Sequence, residues 1–158
     1  DSVSGPAREA AKIVGKLSPG LSYRLYHGVW EMLPDFASLT PAKEGVATEV
    51  KLGLTQRRDA LALDFNGYFY AAQEGVYLFH LRSNDGSKLY LGNEVLIDND
   101  GLHKITVKSA ITTLKKGYHP IRVSYFEAGG QEDLGLSVEG PGFAKTPVTA
   151  SMLWHAPK

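Results

Sequence analysis

Residues 75–101 read G-V-Y-L-F-H-L-R-S-N-D-G-S-K-L-Y-L-G-N-E-V-L-I-D-N-D-G, and this stretch decides the fold. Its first run, 76–81, is apolar on both faces apart from His80, the pattern of a central strand covered on both sides. A polar loop, Ser83-Asn84-Asp85-Gly86-Ser87, follows. Strands are then expected at 88–91 and 94–97, joined through Gly92-Asn93, a pair that tolerates positive φ and so suits a tight hairpin. A second polar loop, Asp98-Asn99-Asp100-Gly101, closes the unit.

Outward from this core the same texture continues. In 134–139 the apolar set Leu134, Leu136 and Val138 alternates with Gly135, Ser137 and Glu139; in 121–126 Ile121, Val123 and Tyr125 alternate with Arg122 and Ser124. One face packs and the other is wet. Residues 104–107 alternate with Ile105 and Val107 inward, and further strands are expected at 21–26, 47–52 and 60–65. Asp85-Gly86, Asp100-Gly101 and Gly129-Gly130 supply the other reversals. About ten short strands without a long helix make an all-β antiparallel sandwich. The first twenty residues differ: 7–16 are good helix formers, with Ser4 as a cap and Pro6 at the start, ending at Ser18-Pro19-Gly20. The domain plan is thus a short N-terminal helix or linker over 1–20 and a β-sandwich over 21–155. A chain starting at Asp1 reads as a piece of a longer protein.

Composition removes several classes of function. The 158 residues carry 17 Lys and Arg against 17 Asp and Glu, so no basic excess recommends a nucleic-acid partner. With 43% hydrophobic and 22% charged residues the chain has material for an ordinary core and needs no metal staple. The absence of cysteine excludes disulfides, thiolate nucleophiles and thiolate metal sites. No apolar run approaches the ~18 residues of a membrane span. No nucleophile elbow, P-loop, dinucleotide fingerprint or H-E-x-x-H is present. His27, His80, His103, His119 and His155 stand singly without ligand spacing. Asp98-Asn99-Asp100-Gly101 lacks the spacing of an EF-hand loop and reads as a turn. The chain is not read as an enzyme.

The linked motifs of 75–101 resemble those of the PA14 family: a G-x-Y-x-F strand, an S-D-D-G-S loop, an L-Y-I-x-G hairpin and a D-x-D-G-x-H loop. The resemblance continues through 114–127 (L-K-K-G-Y-H-P-I-R-V-S-Y-F-E), Gly129-Gly130 and 134–142, and upstream through 20–36 and Phe65-Asn66-Gly67-Tyr68, so that it covers about 17–153. It implies a PA14 β-sandwich from an extracellular, periplasmic or cell-surface setting. In lectin members of the family two adjacent aspartates, joined through a cis peptide, hold a calcium ion that binds sugar hydroxyls. Those two fall by motif position on Asn84 and Asp85, so the first carboxylate is here a neutral amide, which weakens a site for a hard cation. A second loop, 127–133, offers Glu127, Gln131, Glu132 and Asp133 as oxygen donors. The competing reading is that Asp85-Gly86 and Gly129-Gly130 are turns whose side chains cap their own backbone.

Of the aromatics that could stack on a sugar ring, Trp30, Tyr68, Tyr70, Tyr90 and Trp154, Tyr90 stands out because it follows the polar loop directly. The expected ligand residues are therefore Asn84, Asp85, Glu127, Gln131 and Tyr90, with Asp85 and Asn84 as calcium ligands. The expected function is a non-catalytic carbohydrate-binding module of a larger secreted carbohydrate-active protein. The alternative is a structural domain packing on a neighbouring domain of its parent chain without sugar.

Overall fold

The computed structural model describes residues 6–157. Twelve strands run in chain order: β1 (Ser18–Pro19), β2 (Leu21–His27), β3 (Lys43–Ala47), β4 (Leu61–Ala71), β5 (Gly75–Ser83), β6 (Ser87–Leu91), β7 (Glu94–Asn99), β8 (Thr106–Leu114), β9 (Gly117–Glu127), β10 (Leu134–Gly140), β11 (Phe143–Pro147) and β12 (Leu153–His155). An eight-stranded sheet has the order β1-β12-β4-β9-β6-β7, with β2 beside β4 and β3 beside β2; a four-stranded sheet has the order β11-β10-β5-β8. Every pairing within the sheets is antiparallel. This is the β-sandwich that the alternation implied.

The core lies between the sheets. Leu61, Leu63, Phe65 and Phe69 of β4 and Ile121, Val123 and Tyr125 of β9 meet Tyr77, Phe79 and Leu81 of β5 and Leu136 and Val138 of β10. Phe69 sets its ring edge-on to Phe79 at 5.2 Å, an arrangement that matches the positive edge of one ring to the negative face of the other. A smaller apolar cluster, Tyr26, Phe36, Ala62 and Phe126, lies on the outer side of the large sheet under the loop that follows β2. The main-chain N–H of Leu33 donates to the Asp100 carboxylate at 2.9 Å and ties that loop down. The hairpin at Gly92-Asn93 forms as expected between β6 and β7, with Gly92 at φ 63°.

Four expectations change. No helix forms over 7–16, and its Ser4 cap lies outside the described residues. An isolated helix of this length is marginal, and its backbone groups find partners elsewhere. The N–H of Arg8 donates to the Thr113 carbonyl at 2.8 Å, the Arg8 carbonyl accepts from the N–H of Lys115 at 3.0 Å, and the N–H of Ala11 donates to the Tyr118 carbonyl at 2.9 Å. Second, β5 is covered on one side alone: Tyr77, Phe79 and Leu81 are buried while Val76 is 42% exposed, because the four-stranded sheet carries nothing over its outer face. Third, Ile105 and Val107 point outward, since the pairing of Val107 with Arg82 places it on the outer face of β5's sheet. Fourth, the strand expected at 47–52 is instead β3, ending at Ala47; Val50 is buried from an irregular segment. Strands β11 and β12 were not read from the sequence.

Candidate functional site

The loop after β5 is stitched to its neighbours. Asp85, at φ 57°, accepts the N–H of Ala128 on Oδ2 at 2.9 Å and that of His103 on Oδ1 at 3.3 Å, and its own N–H donates to the His103 carbonyl at 2.8 Å. The N–H of Asn84 donates to the Asp133 carbonyl at 2.9 Å. Arg82 grips both carboxylate oxygens of Asp133, at 2.7 and 3.0 Å, the two-pronged geometry that suits a planar guanidinium. Arg58 pairs with Glu132 at 3.3 Å. Asn84, Asp85 and Glu127 thus do come together with the 127–133 loop, but as buried groups, 7%, 6% and 1% exposed. Gln131 lies on the exposed rim.

Glu127 accepts the Tyr125 hydroxyl on Oε1 at 2.9 Å, while Oε2 is enclosed with no hydrogen-bond donor beside it. An ionised oxygen left so is costly. Burial first, and then the adjacent Asp85 carboxylate, push the Glu127 carboxyl up from 4.5 to about 8. Calcium takes six to eight oxygen ligands and prefers charged ones. Here both Asp85 oxygens already serve main-chain amides. No group of three or more His, Asp or Glu able to hold a metal ion occurs among the described residues. The Asn84–Asp85 region does not fit a calcium ion in this arrangement.

Tyr90 lies elsewhere, on the outer face of the large sheet. The registers align Tyr90 of β6 with Arg122 of β9, Arg122 with Asn66 of β4, Asn66 with Ser22 of β2, and Ser22 with Val46 of β3. This row crosses a cleft of about 540 Å³, walled also by Tyr68 and His155. A second cleft of about 600 Å³ shares Ser22, Asn66, His155 and Ala156 with it and continues to Val46. Arg122 is fixed on three sides. Its Nε donates to Asp64 Oδ1 at 2.8 Å, and its guanidinium carbon lies 4.9 Å from the Tyr90 ring centre and 5.7 Å from that of Phe36. Asp64, 7% exposed, also accepts Ser124 Oγ at 3.1 Å and Asn66 Nδ2 at 3.3 Å, so its charge is fully engaged. Arg122 lines the cleft, and its Nη groups have no hydrogen-bond partner among the described residues. Tyr70, Tyr118 and Trp154 pack against one another on the same face, at 4.7 and 6.2 Å. Trp30 packs beside the outer cluster around Phe36. Asp64 and Arg122 were not singled out from sequence; the signal was their place on the wet side of alternating strands.

Four histidines bond their neighbours. His103 bonds the Asn99 and Lys104 carbonyls at 2.7 and 2.8 Å, His119 the Lys115 carbonyl and His155 the Gly20 carbonyl. His80 lies between Ser109 Oγ at 2.6 Å and Glu139 Oε2 at 3.1 Å, the residue types of a nucleophilic triad. They are cross-strand neighbours on the outer face of the smaller sheet.

The PA14 domain profile matches residues 17–150, and the chain belongs to that family. It is 26% identical over 119 residues to a β-hexosaminidase of Porphyromonas gingivalis, covering 70% of this chain and 15% of that protein. Among solved structures it superposes on an anti-sigma factor domain-containing protein with a TM-score of 0.76 and 18% identity, over 89% of this chain and 50% of the other. The A domain of epithelial adhesin 9 from Candida glabrata, in complex with Galβ1-3GlcNAc, gives a TM-score of 0.71 at 13% identity over 95% of both chains. The chain thus spans a small part of its hexosaminidase relative. At these identities the structures share the fold.

Proposed function

We propose that this chain is a non-catalytic carbohydrate-binding module of a larger secreted carbohydrate-active protein, and that the sugar lies on the outer face of the large sheet. The observation that carries the reading is the Tyr90–Arg122–Asn66 row across an open cleft. A pyranose ring presents a C–H face that packs on an aromatic ring and a rim of hydroxyls that exchange hydrogen bonds with amide and guanidinium groups. Tyr68 and Tyr90 offer the first; Asn66 and the free Nη groups of Arg122 offer the second. Arg122 is held before any ligand arrives, which lowers the ordering cost of binding. The sugar complex of the Candida glabrata adhesin domain and the hexosaminidase relative support a carbohydrate role. Asp85 ties its loop to Ala128 and His103 through main-chain amides, and on this reading the sugar is held by the sheet face and not through calcium.

A glycan microarray probed with the wild-type domain and with Tyr90→Ala, each with calcium and with EDTA, tests this. Glycan signals that vanish in the variant and ignore EDTA are expected. An array on which the wild type is silent overturns the carbohydrate reading, and a signal lost with EDTA returns the site to the Asn84–Asp85 loop.

A further inference from the structure

The two clefts are halves of one trough. They share Ser22, Asn66, His155 and Ala156, and the residues that floor them are the directly opposed positions of five consecutive strands, from Tyr90 on β6 to Val46 on β3. Neighbouring strands are about 4.8 Å apart, so four steps between five strands give a floor of roughly 19 Å. That exceeds what one sugar ring covers. The character of the floor changes along it. At the β6 end an aromatic face and a cation lie together; in the middle Asn66 is exposed among small residues; at the β3 end Val46 is 56% exposed beside the Arg24–Glu44 ion pair at 3.7 Å. β3 pairs with β2 alone, so the trough runs out at a sheet edge there.

We propose that the trough takes an oligosaccharide of several consecutive rings lying across the strands, anchored by one ring on Tyr90 and Arg122 and extended over Ser22 to Val46. This rests on the carbohydrate reading above and adds the length of ligand that the surface is built for. The anchoring ring fixes position through stacking and hydrogen bonds. The rings toward β3 add contact with Val46 and with the Arg24–Glu44 pair, a surface without an aromatic stacking face on the row, so each contributes less than the first but adds to it.

The test is isothermal titration calorimetry of the intact chain with β-1,4-linked N-acetylglucosamine oligomers and β-1,4-linked glucose oligomers of one to six rings, together with the sugars that score on the microarray. Affinity should rise with length to three or four rings, reaching about tenfold over the disaccharide, which corresponds to about 1.4 kcal/mol, and then level off. Val46→Glu, a change at an exposed position that leaves folding intact, should remove the gain from the longer oligomers while leaving the disaccharide unaltered. Tyr90→Ala should weaken every length. Equal affinity for all lengths, or a Val46→Glu variant indistinguishable from wild type on the longest oligomer, overturns the trough while leaving a single-ring module intact. No binding at any length overturns the carbohydrate reading itself.

Discussion

Asp85→Ala is the most direct probe of the clamp. The substitution takes the acceptor from the N–H of Ala128, at 2.9 Å, and from the N–H of His103, at 3.3 Å, both in a region where Asp85 is 6% exposed. A buried donor left unpaired costs about 1–3 kcal/mol, with the longer bond toward the low end. Alanine at φ 57° adds about 1 kcal/mol, because aspartate tolerates the left-handed region better. Little is regained from relieved repulsion, since Glu127 is already protonated at neutral pH. The sum is roughly 3–4 kcal/mol, and a domain of this size loses about 2–4 °C of melting temperature per kcal/mol, so the midpoint should fall by about 10 °C. Circular dichroism melts of wild type, Asp85→Ala and Asp85→Asn, each with millimolar calcium and with EDTA, measure it. The Asn variant, which keeps one acceptor and the same backbone tolerance, should fall between the other two. Two results would refute the reasoning: an Ala variant within about 2 °C of wild type, or a wild-type midpoint that calcium raises, since an ion bound to the folded form alone must stabilise it.

Glu127 makes stability depend on pH. Its folded value, about 8, lies above its ordinary 4.5, so its contribution is complete below 4.5 and is lost as pH rises through 8. Urea midpoints should decline across that window in wild type and flatten in Glu127→Gln, which keeps the neutral form at every pH; parallel curves would mean that Glu127 is ionised throughout. Tyr90→Ala should leave the melting temperature within about 2 °C of wild type while removing glycan binding, because Tyr90 is half-exposed on the sheet's outer face. Gly86→Ala should destabilise the fold severely, since a Cβ there runs into the Phe126 ring and the Asp100 carboxylate that holds Leu33; denaturant titration against Gly129→Ala, where nothing lies within 4 Å and φ is not positive, checks that the effect is local.

Much of the fold was legible because alternation in 121–126 and 134–139 survives intact in β9 and β10, and because Gly92-Asn93 admits few alternatives to a hairpin. What failed did so for want of tertiary information. The helix-forming composition of 7–16 carries no notice that β8 and the turn into β9 offer better partners for its amides. The apolar run 76–81 does not reveal that its second face stays half-open. At the site, the family resemblance put Asn84, Asp85 and Glu127 in adjoining loops, yet could not show that the Ala128 and His103 amides take up the Asp85 carboxylate. Tyr90 was visible as an aromatic in an alternating strand. Its partner Arg122 was not, because the pairing of β6 with β9, separated by the whole of β7 and β8, brings the two together.

β8 is the border of its sheet, and such a border offers unsatisfied amides to any passing chain. Arg8 and Ala11 occupy the backbone groups at its end and at the start of β9, Arg8 reaches Glu94 at 2.6 Å, and Ala10 sits where a side chain on Gly117 would be. All of these precede residue 17, where the family match begins. A protein trimmed to that boundary would keep its sandwich and bare the end of β8, and should self-associate more than the 158-residue chain in sedimentation velocity.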